Sequence, residues 1–182
     1  MINTHNLKLT ILQEEILRLL YKKAEIKLHP RTISLLLRVS HPAVSKALPL
    51  LVKKNLLMLE KEKNSPRFFV SLNRENPLII GLKRSENLKK LYESLFVAFL
   101  YDTFPSATII LFGSYAFGED TSTSDLDLAV IGASTKNIDY SSFEKEFERP
   151  IRINYYTSFQ EIDKPLLNNI LNGITIKGAV EL

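Results

Sequence analysis

The chain has 182 residues, 24 Lys and Arg against 20 Asp and Glu (net charge +4), and no cysteine, which excludes disulfides, thiolate zinc sites and cysteine nucleophiles. With 45% hydrophobic and 24% charged residues it can bury a core, so wholesale disorder is excluded, and its length suits one ordinary domain or two small ones. No apolar run reaches the roughly 18 residues of a membrane span, and the start MINTHNLKLT is too polar for a signal peptide, so a cytoplasmic protein is expected.

The charge is unevenly placed. Residues 1–90 hold 18 Lys/Arg and 7 Asp/Glu, whereas residues 91–182 hold 6 and 13. Two units with different partners are expected, the first facing a polyanion and the second a metal. In the basic half, Leu9, Leu12, Ile16, Leu19 and Leu20 recur at helical spacing over residues 9–21, with Thr10 as the cap. Ile26 and Leu28 read as a short extended piece before the break at His29-Pro30. Thr32 to Val39 reads as a second helix. Ser40 as N-cap and Pro42 in the first turn start a third, from about His41 to Lys54, with Val44, Leu48 and Leu51 facing inward and Pro49 bending it. LLMLE and FFVSL, separated by EKEKNSPR, then read as a β-hairpin.

Three helices and a hairpin resemble the winged helix-turn-helix of bacterial and archaeal transcription regulators, over roughly residues 8–75. The best-matching stretch is TISLLLRVSHPAVSKALPLLVKKNLLMLEKEKNSPRFFV. The resemblance implies a DNA partner. The recognition helix would present His41, Ala43, Ser45 and Lys46 to the major groove, while Lys53, Lys54, Lys61, Lys63 and Arg67 approach phosphates. The alternative is a winged helix used for protein contacts.

In the acidic half, a helix is expected over about 87–101, with Leu88, Leu91, Leu95 and Phe99 on one stripe. That stripe packs on the domain's own sheet or forms a dimer seam, and by analogy with winged-helix regulators a homodimer is expected. A buried strand, TIILF (108–112), runs straight into Gly113-Ser114. After the loop YAFGEDTSTS come a second strand, DLDLAVI, a helix within FEKEFER and a third strand, IRINYYT. A helix within IDKPLLNNILNG and a last short strand close the chain. The expected architecture is α+β: a winged helix-turn-helix at 1–76, then at 77–182 an α/β domain with a small mixed sheet of about four strands.

Period-two geometry puts the carboxylates of Asp125 and Asp127 on one side of their strand, where they can share hard cations through oxygen. The stretch ILFGSYAFGEDTSTSDLDLAV resembles the signature of the nucleotidyltransferase superfamily, the fold of DNA polymerase beta, kanamycin nucleotidyltransferase and the minimal nucleotidyltransferases. Gly113, Ser114, Ala116, Gly118, Ser124, Asp125, Asp127 and Leu128 carry the match, within a likeness covering about residues 90–180. It implies catalytic, Mg²⁺-holding roles for Asp125 and Asp127 and nucleotide-binding roles for Gly113, Ser114 and Ser124. Gly113 would let backbone approach a nucleoside triphosphate, and Ser114 opens a helix whose N–H groups favour phosphate.

The chain departs from that pattern twice. Phe117 stands where the family often has Arg, and the strand that carries the family's third carboxylate has Asn154 instead. An amide can offer a metal a neutral oxygen, but it cannot act as a base. Glu119, Asp120, Glu144, Glu146 and Glu148 are nearby acids that could substitute, and Arg149 and Arg152 could meet a phosphate or pair with them. The expected protein binds Mg²⁺ and a nucleoside triphosphate and is a transcription regulator with weak or lost transfer activity. The alternative is an active nucleotidyltransferase moving a nucleoside monophosphate onto a small molecule, an RNA end or a protein, including an antitoxin-type role.

Overall fold

The computed structural model describes residues 7–62, 65 and 67–181, so Lys63 of the expected wing lies outside the described residues. The chain divides into two compact units, Met1–Ile79 and Ile80–Leu182. Among the described residues no single helix is long and apolar enough to cross a membrane.

In the first unit, α1 (Ile11–Lys22) starts at Thr10, whose hydroxyl accepts from the Gln13 N–H while the Gln13 side chain accepts from the Thr10 N–H. This reciprocal cap satisfies two helix-end donors. The other end of the Gln13 amide donates to the Ala47 carbonyl in α3 (His41–Lys53), tying the first helix to the third. Between them, α2 (Pro30–Leu37) is capped by the His29 ring, and the chain turns at Arg38, which takes a left-handed conformation. Ser40 caps α3, which runs on through the exposed Pro49. Strands β1 (Leu57–Lys61) and β2 (Phe68–Leu72) form the antiparallel hairpin, and Leu28 adds a single bridge to Val70. Ile16, Leu20, Ile33, Val44, Leu48, Leu51, Leu57 and Val70 are buried and make this unit a winged helix-turn-helix with its own core.

The expected single helix over 87–101 is two. Helix α4 (Pro77–Glu93) begins ten residues earlier, and α5 (Phe96–Thr103) follows a break at Ser94-Leu95. The Ser94 hydroxyl donates to the Leu91 carbonyl and accepts from the Phe96 N–H, while Leu95 turns left-handed (φ +61°) and is 69% exposed. Leu95 therefore leaves the stripe. Leu88, Leu91 and Phe99 pack into this unit's own core rather than forming a seam.

The sheet of the second unit has the order β5-β4-β3-β6, built from β3 (Thr108–Phe112), β4 (Leu126–Ile131), β5 (Ile151–Tyr156) and β6 (Ile174–Lys177). Only β4 and β5 run parallel, and their crossover contains α7 (Ser141–Phe147). Both faces are covered. Ile109, Leu111, Leu126, Leu128 and Val130 pack under Leu91, Phe96, Val97, Leu100 and Phe147. Ile110, Phe112, Ala129 and Ile131 pack against Phe159, Ile162 and Ile170, the last from α8 (Lys164–Leu171).

One glycine fixes how α4 meets the loop before β4. Gly118 has φ +77°, and a Cβ there would lie 2.5 Å from the Ile80 carbonyl oxygen and 2.7 Å from the Arg84 nitrogen. Both neighbours are helix backbone and cannot swing aside. Gly118→Ala is expected to destabilise the chain by about 2 kcal/mol or more, read as the shift of the urea unfolding midpoint.

Candidate functional site

The site is set by the end of β3. Phe112 stands opposite Asp127 in the antiparallel ladder, and the chain then turns at Gly113 into the short helix α6 (Gly113–Phe117). Gly113 has φ +72°, and a Cβ on it would lie 2.8 Å from Asp127 Oδ2. Only glycine combines that backbone with room for the carboxylate. The near neighbour of Gly113 is therefore the second aspartate of the motif.

On the other side of β4, Arg152 is the register partner of Asp127, and Asn154 the partner of Ala129. Alternation puts Asp127, Ala129, Arg152 and Asn154 on one face of the sheet. Arg152 Nε lies 2.9 Å from Asp125 Oδ2, so the guanidinium engages the first aspartate. Asn154 Nδ2 points to the Leu128 carbonyl at 3.5 Å, a long contact. The carboxyl of Asp127 is held above its ordinary value, first by burial and then by the charge of Asp125, with Arg152 pulling the other way. A half-buried, mutually repelling carboxylate pair suits a hard divalent cation, which would relieve both terms. Among the described residues no group of three His, Cys, Asp or Glu side chains is arranged to hold a metal. Hard oxygen donors are the class that suits Mg²⁺, and the site offers two carboxylates, with Asn154 on the same sheet face as Asp127.

Of the acids proposed to replace the third carboxylate, Asp120 and Glu144 are committed within the fold. Asp120 is 1% exposed and bound on both oxygens: Oδ1 to Lys83 Nζ and to Asn87 Nδ2 (2.7 Å), Oδ2 to Arg149 Nη1 (3.1 Å). Asn87 Nδ2 also reaches the Tyr115 carbonyl, the Tyr115 hydroxyl donates to the Asn87 carbonyl, and the Arg149 guanidinium lies over the Tyr115 ring, 4.7 Å from its centre. Burial pushes the Tyr115 hydroxyl well above its ordinary range. Arg149 Nη1 donates further to the Ser124 carbonyl, next to Asp125. Glu144 accepts from the Ile151 N–H, and Glu146 and Glu148 are exposed. Arg149 and Arg152 are therefore both ion-paired to acids. Sequence reasoning missed Lys83 and Asn87, although a signal existed. Ile79, Lys83, Asn87 and Leu91 are spaced by four on α4, and the two ends of that row are fully buried.

Of the other expected nucleotide-binding groups, Ser114 lies in α6 and its carbonyl accepts from the Glu119 N–H. The Ser124 hydroxyl accepts from the Thr121 N–H at 2.9 Å, so it closes the motif loop. In the first unit, α3 leaves His41, Ser45 and Lys46 exposed and Ala43 half-buried, while Val44, Ala47, Leu48 and Leu51 face the core. Lys61 and Arg67 are exposed where the hairpin strands open into the wing, and the Glu62 N–H donating to the Arg67 carbonyl closes that end. Glu60 on β1 is ion-paired with Lys27.

Residues 94–175 match the family model of the nucleotidyltransferase domain. No curated protein sequence matches the chain. Among solved structures, the adhesin competence repressor AdcR from Streptococcus pyogenes aligns at 28% identity over 52% of this chain and 69% of that one, with a TM-score of 0.39. ZitR from Lactococcus lactis, as a cysteine-to-serine mutant, aligns at 27% identity over 56% and 66%, with a TM-score of 0.40. S. aureus MepR, solved as a DNA complex, aligns at 21% identity over 54% and 80%, also at 0.40. These likenesses are too loose to add weight, and the winged helix is read from the chain's own helices and hairpin.

Two substitutions separate the structural carboxylate from the electrostatically strained one. Asp120→Ala leaves two cations facing each other in a buried space and is expected to cost about 3–5 kcal/mol in urea unfolding. Asp127→Asn should do the opposite to the metal-free protein. A carboxyl whose folded pKa is raised above its unfolded value of 3.8 opposes folding once pH exceeds that value. The variant should therefore melt higher than the parent at neutral pH, and the gain should vanish as pH falls below the ordinary carboxylate range. A lower melting temperature at pH 7 would contradict the assignment of strain to Asp127.

Proposed function

We propose that this chain, a winged helix-turn-helix followed by a nucleotidyltransferase domain, is a DNA-binding regulator whose second unit takes Mg²⁺ and a nucleoside triphosphate. The observation that carries this reading is the carboxylate pair beside Gly113. Asp125 and Asp127 would hold the cation through oxygen, with Asn154 available as a neutral donor on the same sheet face. Held by these two residues, Mg²⁺ would supply positive charge that offsets the carboxylates and favours a phosphate ligand. Gly113 and Ser114 would lie along the triphosphate, and Ser124 would hold the loop that delivers Asp125.

Transfer from such a site is weak. An attacking hydroxyl must lose a proton, and the third position is an amide that cannot take it. Asp120 and Glu144 support the reading, because each is committed to partners within the fold. The nucleotide then acts as a signal more than as a substrate. In the first unit, His41, Ser45 and Lys46 would read base edges while Lys61, Arg67 and the wing residue Lys63 meet phosphates. A homodimer would match two half-sites.

Calorimetry with Mg²⁺ and each of the four nucleoside triphosphates tests the site. Binding is expected for the parent chain and loss of at least tenfold for Asp125→Ala with Asp127→Ala; no heat with any nucleotide, or equal binding by the double variant, overturns it. For the winged helix, DNA affinity is measured against salt. Lys61→Ala with Arg67→Ala should lower the magnitude of the log–log slope by about two, at about 0.9 per phosphate contact. A slope unchanged by the pair removes both residues from the interface.

A further inference from the structure

Arg152 occupies an odd place. It stands opposite Asp127 in the ladder, directs its Nε to Asp125 at 2.9 Å, and keeps 68% of its side chain exposed. Asp125 beneath it is mostly covered, with 20% of its side chain exposed. The guanidinium thus sits as a counter-ion on one of the two carboxylates proposed to hold metal. It is long and solvent-facing, and it remains free to turn. An Arg fork also binds phosphate oxygens bidentately, so the same group has a second natural acceptor within the proposed site.

We propose that Arg152 is a positioning residue that couples the two ligands: without triphosphate it neutralises Asp125 and weakens metal binding, and with triphosphate it moves to a phosphate oxygen and releases Asp125 to the cation. This rests on the reading of Asp125 and Asp127 as the metal pair. Electroneutrality explains why the exchange works. Two carboxylates with one guanidinium carry a single negative charge, too little for a divalent cation alone. A triphosphate brings its own negative charges and takes the guanidinium with it, which leaves both carboxylates to the metal. The metal and the polyphosphate therefore enter together, and neither is held well by itself. The site answers to the complex of the two, as a sensor of a metal–triphosphate should.

Binding alone reads this out, with no catalysis. Mn²⁺ replaces Mg²⁺ in electron paramagnetic resonance titrations, with and without saturating inorganic tripolyphosphate, which has no base to choose. The full-length parent is compared with Arg152→Gln and with Asp125→Asn plus Asp127→Asn. A largely exposed ion pair is weak, so Arg152→Gln should bind Mn²⁺ alone only about two- to fivefold more tightly. The same variant should bind tripolyphosphate more weakly, so that the enhancement of Mn²⁺ binding by tripolyphosphate shrinks. Opposite movement of the two affinities is the expected result, since loss of a merely structural contact would weaken both. Two affinities that fall together, or that stay unchanged, overturn the coupling role while leaving the site. If the double aspartate variant binds Mn²⁺ as well as the parent does, the metal pair itself is wrong and the coupling falls with it.

Discussion

The second unit depends on one buried carboxylate. Asp120 is covered almost completely, yet it meets a lysine and an amide from α4 and an arginine from the turn before β5. A lone charge in such a place would be ruinous, and two opposing cations are no better without it. The three elements must therefore assemble together. Arg149 then extends the contact to the Ser124 carbonyl, one residue before Asp125. Gly118 allows the same loop to lie against the α4 backbone. The loop that delivers the aspartate pair is thus fixed by buried polar contacts rather than by the apolar core alone.

The neighbouring carboxylates sit in the opposite regime. Asp127 is partly buried and close to Asp125, and among the described residues no cation is ion-paired to it; Arg152 serves Asp125 from a largely exposed position. Strain of this kind lowers stability, and it persists where a ligand relieves it. Two acids a few residues apart thus have contrary energetics. Asp120 is satisfied within the fold, whereas Asp127 has an unmet demand for positive charge. The difference separates scaffold from site more sharply than residue type does.

Much of this was legible in the sequence. Thr10 and Ser40 cap the helices their chemistry suggests, because a hydroxyl before an apolar run has few other uses. Strands β3 and β4 lie where the apolar run TIILF and the run DLDLAVI place them. Other features were not legible. The break at Leu95 depends on a serine hydroxyl substituting for helix bonds, which leaves the apolar spacing intact and so invisible. The two arginines near the site could each have met phosphate or acid; register decides, since only β5 pairing beside β4 puts Arg152 on Asp125. Lys83 was hidden because a lysine on a helix is ordinarily solvated, and only the acid 37 residues away shows otherwise.

The charge asymmetry of the chain takes on a physical meaning here. The basic surplus includes exposed side chains on α3 and the wing, whereas part of the acidic surplus is consumed inside the second unit and the Asp125–Asp127 pair is the place proposed for a cation. The most direct test of that account is a crystal structure with Mn²⁺ and inorganic tripolyphosphate, phased to show the anomalous scattering of manganese. A manganese peak bridging the Asp125 and Asp127 carboxylates, with Arg152 turned from Asp125 to a phosphate oxygen, is the predicted result. A bound tripolyphosphate with no manganese at that pair, or manganese held elsewhere, would contradict it.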